Sequence, residues 1–150
     1  MTIVAGPGFT AGQRVKTPVE LHDLQASVFQ AVGVKRPGGW VGSPLQTVKP
    51  NDPDRISFSE YHGHGTRASA FLVRRGDMKL IYHVNAPHQL FDLANDPQEL
   101  HNLYADRPAV AKDRENELRK ICDPEKENAR AEELINEQVS TTAARPKNPN

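Results

Sequence analysis

The chain has 150 residues, 37% of them hydrophobic, and its 19 Lys plus Arg balance 19 Asp plus Glu. That length suits one domain or a piece of a larger one, and zero net charge leaves no basic excess to displace phosphate counterions, which argues against nucleic acid as a partner. Cys122 is the only cysteine, so neither an internal disulfide nor a thiolate zinc cluster is available. The opening MTIVAGPGFTAG lacks a basic n-region and a long apolar run, and no stretch reaches membrane-spanning length, so neither a signal peptide nor a membrane partner is expected and the compartment stays undetermined.

In chain order, TIVAG reads as a short buried strand that the loop GPGFTAG ends. Thr17 then suits an N-cap, Pro18 a first helical position and Glu20 the far side of a capping box. This predicts a helix over 18–32 with Leu21, Leu24, Val28 and Val32 as its apolar stripe, stopped by Gly33. Residues 33–55 follow neither period and are rich in Gly, Pro and Asp, a long loop between two parts. Next, RISFSEYH is strand-like, two hairpin arms over 69–74 and 78–84 meet at RRGD, and HQLFDL is a further strand.

In NDPQELHNL, Asp96 can cap, Pro97 can start and Glu99 can close a capping box, which predicts a one-turn helix ended by Asn102 with Leu100 and Leu103 inward. A longer helix is expected over 108–121 with Val110, Leu118 and Ile121 among charges, and Asp123-Pro124 restarts a polar helix to about Gln138. The ending STTAARPKNPN has too little apolar surface to offset the entropy of ordering and reads as a disordered tail.

The residues with chemical potential lie in SEYHGHG, where Glu60, His62 and His64 alternate. On an extended strand they leave one face together, which is how a metal centre or an acid/base site begins. A solvated polar strand end is the plainer reading of the same spacing. Arg67, Arg74 and Lys79 could attract an anionic ligand, and Arg75-Gly76-Asp77 is turn chemistry before it is an adhesion motif.

QLFDLANDPQELHNL, Gln89 to Leu103, resembles the signature L-[YF]-D-L-x-x-D-P-x-E-x-x-N-L near the C-terminus of sulfatases, in the alkaline phosphatase superfamily, and meets each fixed position. IVAGPGF, VELHDLQASVFQAVGV and SEYHGHGTRASAFLVRRGDMKLIYH are similar to further sulfatase stretches in the order that the family has them, with VGSPL only approximating G-x-S-L. The resemblance covers about residues 3–120 and points toward arylsulfatases. It implies an α+β fold: the distal strand and helix of an α/β sulfatase domain (1–50), then a small antiparallel sheet with C-terminal helices (51–138) and a tail (139–150).

The intact family enzyme is implied to hydrolyse sulfuric esters of sugars or small molecules with a formylglycine made from Cys or Ser in C/S-x-P-x-R, and with a calcium ion. Here CDPEK, Cys122 to Lys126, has Lys in place of that Arg and lies between two helices. The chain is therefore expected to hold no cofactor and no catalytic residue of its own. Glu60, His62 and His64 become residues at the substrate rim, and association with a missing N-terminal half or self-association follows. The alternative from another class is a free-standing interaction module that binds a sulfated ligand or a metal.

Overall fold

A computed structural model describes residues 2–63 and 68–143. It is a mixed α+β structure with three α-helices and a four-stranded antiparallel sheet. The chain divides into two compact units, one of residues 1–57 with 74–76 and one of residues 58–73 with 77–150.

In the first unit, helix α1 spans Leu21–Ala31. It starts later than its sequence suggests because the Thr17 hydroxyl is occupied elsewhere, donating to Lys49 O at 2.6 Å and accepting from Asp52 N at 2.8 Å. Glu20 is the N-cap instead, in a reciprocal capping box with Asp23. At the other end, Gly33 adopts φ +69° while its N–H bonds Gln30 O and Val34 N bonds Phe29 O, a Schellman arrangement that needs a left-handed residue after the cap.

The buried face of α1 is Asp23, Ala26 and Ser27. The expected stripe is outside: Leu21 is 80% exposed and Val32 63% exposed. TIVAG is also corrected, since residues 2–5 form no strand and Ile3 is exposed. A strand needs a ladder partner, and local apolar character does not supply one.

The loop after α1, irregular apart from a short 3₁₀ turn at Leu45–Thr47, is tied to the helix through polar contacts. Asp23 accepts Ser43 N at 2.8 Å and pairs with Arg55 at 2.6 Å, and Ser27 Oγ accepts Leu45 N at 2.7 Å. Gly42 lies so close that a Cβ there would be 2.2 Å from His22 O. This gives the glycine of VGSPL a physical meaning, the close approach to α1, whereas the bond to Asp23 comes from the Ser43 backbone N–H and does not call for serine.

The sheet runs in the order β1 (Ile56–Tyr61), β2 (Ala70–Arg75), β3 (Met78–His83), β4 (Gln89–Asp92). Gly76, at φ +57°, turns β2 into β3. β3 and β4 pair antiparallel with Leu80 opposite Leu90 and Met78 opposite Asp92. Period-two alternation puts Phe71, Val73, Leu80, Tyr82 and Leu90 in one core, which Ala111 and Leu118 of α2 (Pro108–Ile121) complete. On α2, Ile121 is exposed, contrary to its expected place, and the buried face carries the ion pair Arg114–Glu117 beside Ala111 and Leu118.

Helix α3 runs over Pro124–Ala143, past Gln138 and into the stretch expected as a tail. Its start is as the sequence implies: Asp123 Oδ1 accepts Lys126 N at 3.1 Å.

The one-turn helix in NDPQELHNL is absent, because side-chain bonds organise these residues differently. Glu99 sits at φ +57° with its carboxylate on Lys79, at 2.6 and 2.8 Å. The Asp96 carboxylate reaches past one helical turn to His101 N at 2.8 Å. Leu100 consequently faces out, while Leu103 packs against the core.

Candidate functional site

Glu60 lies on β1 and His62 just past its end, within the second unit. His62 Nε2 is 3.5 Å from Glu60 Oε2. On its other side His62 Nδ1 is 2.7 Å from Ser69 Oγ, and its ring meets Phe71 edge-on with centroids 5.5 Å apart. Two of the three residues that the alternating pattern singled out therefore do meet, although β1 ends at Tyr61, before His62. His64, the third member, lies outside the described residues, as does Arg67.

Two partners of this site were not visible in the sequence. Ser69 is buried, and its N–H donates to Asn128 Oδ1 of α3 at 2.7 Å. Asn128 is buried too, and its Nδ2 donates to Glu132 at 2.8 Å. Ser69 O accepts Val84 N at 3.0 Å, so both backbone groups of Ser69 are held. A separation of 59 residues between Ser69 and Asn128 has no local signal. Only the isolated Asn one turn into a charged helix hinted at an inward amide.

His62, Ser69, Asn128, Glu132 and Ile135 line a cleft of about 40 Å³. That is space on the scale of a water or two, too little for a sugar. The arrangement offers an imidazole and a carboxylate at a surface edge with a hydrogen-bonded support behind them. The other expected attractors are engaged: Arg74 Nε donates to Gly76 O at 2.9 Å, and Lys79 holds Glu99.

No family model matches the chain. Among curated proteins it is 34% identical to Arylsulfatase K of Danio rerio over 131 residues, 81% of this chain and 25% of the relative. It is 29% identical to Arylsulfatase K of Mus musculus, over 91% of this chain and 27% of the relative. The match falls in the C-terminal part of these proteins. The chain is a homologue of the C-terminal part of sulfatases.

It spans about a quarter of the length of those curated relatives. Among solved structures, Ps i-CgsB superposes with a TM-score of 0.60 at 26% identity, over 76% of this chain and 26% of that one. A protein solved with its substrate D-glucosamine-2-N,6-O-disulfate gives 0.56 at 21% identity, over 66% and 23%. The phosphonate monoester hydrolase of Agrobacterium radiobacter gives 0.52 at 20%, over 65% and 23%, and shares the fold.

The sulfatase signature stretch turns out to be a folding device. Leu90 and Phe91 are buried in the core region, and Asp92 caps the following turn through Ala94 N, Asn95 N and Asn95 Nδ2. Asn102 Oδ1 accepts both Leu90 N and Tyr104 N at 3.0 Å, and its Nδ2 donates to His88 O at 3.1 Å. Each fixed polar residue thus satisfies backbone or an ion pair, and none points to a reacting group.

The calcium and formylglycine that sulfatase homology suggests were tested against this chain's residues. Among the described residues no group of three or more His, Cys, Asp or Glu side chains is placed to hold a metal ion. Cys122 caps the C-terminus of α2, and burial pushes its thiol pKa up, with Glu60, Glu127 and Asp123 adding to the effect. Both features oppose a reactive thiolate, and CDPEK has a helix start in place of the modification signal. Cys122 and its surroundings do not fit a formylglycine.

Proposed function

We propose that this chain is the ligand-side, C-terminal segment of a sulfuric ester hydrolase. In this reading residues 1–50 belong with an α/β catalytic domain, residues 51–138 form the antiparallel-sheet subdomain, and the nucleophile and the calcium ligands come from polypeptide outside this sequence. Alone the chain is inactive. Glu60, His62 and His64 stand at the rim of the completed active centre and contact a sulfated sugar.

The observation that supports this most is the pairing of His62 with Glu60 at the end of β1, backed by Ser69 and Asn128. A polar pair held in one orientation can discriminate between ligands, whereas the adjoining cleft is too small to hold one.

The test is a transplant. Residues 56–75 replace the matching segment of an active full-length relative, and His62→Ala and Glu60→Ala are made there. Losing a well-placed polar contact costs about 1–3 kcal/mol in transition-state binding. The expected outcome is a change in kcat/KM for sulfated sugars larger than that for a small aryl sulfate. Equal kcat/KM across both substrate classes would leave these residues as a solvated strand end. Stoichiometric metal binding by the isolated chain, lost on substitution of His62, would support the free-standing module.

A further inference from the structure

The zero net charge of the chain conceals an uneven distribution. The unit of residues 1–57 and 74–76 holds eight Lys and Arg against four Asp and Glu, and the other unit holds eleven against fifteen, so their formal charges are +4 and −4.

Within the first unit the acids are already engaged. Asp23 is buried against Arg55, Asp54 pairs with Arg75, Glu20 shares the capping box of α1 with Asp23, and Asp52 Oδ1 accepts Asp54 N at 3.1 Å. Arg36 and Arg74 donate to the carbonyls of Gly42 and Gly76. The other four cations, Arg14, Lys16, Lys35 and Lys49, are exposed, and no ion pair joins any of them to a described residue.

The fold gathers three of these four. Lys16 N donates to Pro50 O at 2.8 Å, and the buried Thr17 hydroxyl donates to Lys49 O at 2.6 Å while accepting Asp52 N at 2.8 Å. Two segments, 32 positions apart at Thr17 and Lys49, are thereby laced together. Lys16 and Lys49 stand at that crossing, and Arg14 lies two residues before it. We infer that Arg14, Lys16 and Lys49 form a cationic surface that binds a sulfated polysaccharide through several sulfate groups at once. The choice of a sulfated sugar rests on the function proposed above; the surplus of charge does not.

An exposed ion pair is worth little by itself, so a single sulfate would be held weakly here. A polymer with anions on successive sugar units is different, because once one contact forms the next is intramolecular, and each contact frees a counterion from the polymer. Nucleic acid is a polyanion too. Residues 13–17 and 48–54, however, contain no aromatic side chain on which a base would stack, and sulfate esters on a sugar need none.

The experiment measures binding of the full chain to immobilised dextran sulfate, uncharged dextran and single-stranded oligothymidylate, from about 50 to 200 mM salt. Wild type is expected to bind dextran sulfate more tightly than oligothymidylate, to ignore uncharged dextran, and to weaken steeply with salt. Arg14→Gln, Lys16→Gln and Lys49→Gln together should weaken binding about tenfold or more. Lys112→Gln, Lys120→Gln and Lys126→Gln together remove the same charge from exposed positions of the other unit and should change it by less than about twofold. An equal loss in both triple variants would assign the binding to net charge and overturn the proposal. So would a wild type that ignores dextran sulfate, or that holds oligothymidylate as tightly, and these two results decide even if a variant fails to fold. None of them involves Glu60, His62 or turnover, so the rim reading is tested separately in the transplant.

Discussion

Arg55 Nη2 reaches the carboxylate of Asp23 at 2.6 Å, and the Asp23 side chain is only 1% exposed. The same carboxylate accepts Ser43 N and Glu20 N, so one buried acid joins the cap of α1, the loop that follows it and the approach to β1. Removing it strands a guanidinium and two backbone donors. Asp23→Ala is expected to destabilise the first unit by about 3 kcal/mol or more, and Arg55→Ala by less because Asp23 keeps its backbone donors. Urea denaturation followed through Trp40, which packs edge-on against Phe29 of α1, checks the order of the two variants. An Asp23→Ala curve coincident with wild type would mean that the apolar contacts alone hold α1.

The signature turn makes a second prediction. Asn102→Ala leaves Leu90 N and Tyr104 N without their acceptor; the part-buried Leu90 donor left unmade costs about 1–3 kcal/mol, while the exposed Tyr104 N can turn to water. Asn102→Asp keeps the acceptor and loses only the bond to His88 O, so it should cost less. Thermal melts of the two variants measure the difference. Equal losses would place the importance of Asn102 in its shape and not in its oxygen.

Stability should also fall on acidification in two separate windows. His88 is stacked on Tyr82, with ring centroids 4.0 Å apart, and meets Tyr104 edge-on, while its Nδ1 accepts His83 N at 3.3 Å. Burial lowers its pKa from 6.5, His83 and Arg119 reinforce this, and Glu115 and Glu125 oppose it. The folded state thus resists a proton that the unfolded chain takes up, and stability is lost as pH falls below about 6.5. Glu125 is held at about 2 by its bonds from Arg119 and Tyr82. Its contribution is present above the unfolded value and is lost later, as pH falls from about 4.3 toward 2. His88→Phe, which keeps the stack, should flatten the upper window and leave the lower one. A denaturation midpoint that stays constant from pH 7 to about 5 in wild type would contradict the first part.

The outward stripe of α1 predicts association. Leu21, Leu24 and Val28 of α1 and its C-cap Val32 are all exposed, with Ile3 and Val4 also uncovered, and fully burying each such side chain is worth roughly 1.5–3 kcal/mol. Zero net charge adds no repulsion between copies. Light scattering should report concentration-dependent association that Leu24→Glu with Val28→Glu abolishes. A monodisperse monomer at all concentrations would mean that the stripe needs no cover.

What the sequence made legible follows from how local each determinant is. The four strands and α2 could be read because alternation, Gly76 and Pro108 act over a few residues. The turn at Asp96 misled because D-P-x-E satisfies the local grammar of a helix start, while Lys79 captures Glu99 from 20 positions away and Asn102 binds backbone up to 14 positions away. The late start of α1 has the same cause, since Thr17 is taken by Lys49 and Asp52. At the candidate site Glu60 and His62 were legible from their spacing. Ser69 and Asn128 were not, because their bond joins a strand margin to the last helix.

The central claim is that this chain carries ligand-side and structural parts of a sulfatase and not its nucleophile. The direct measurement is release of the phenol from an aryl sulfate by the purified chain, with and without calcium. The account predicts no release above the blank in either condition, because binding residues alone supply neither an activated nucleophile nor a charge-stabilising cation. Calcium-dependent release that survives repurification and disappears in Cys122→Ala would contradict it.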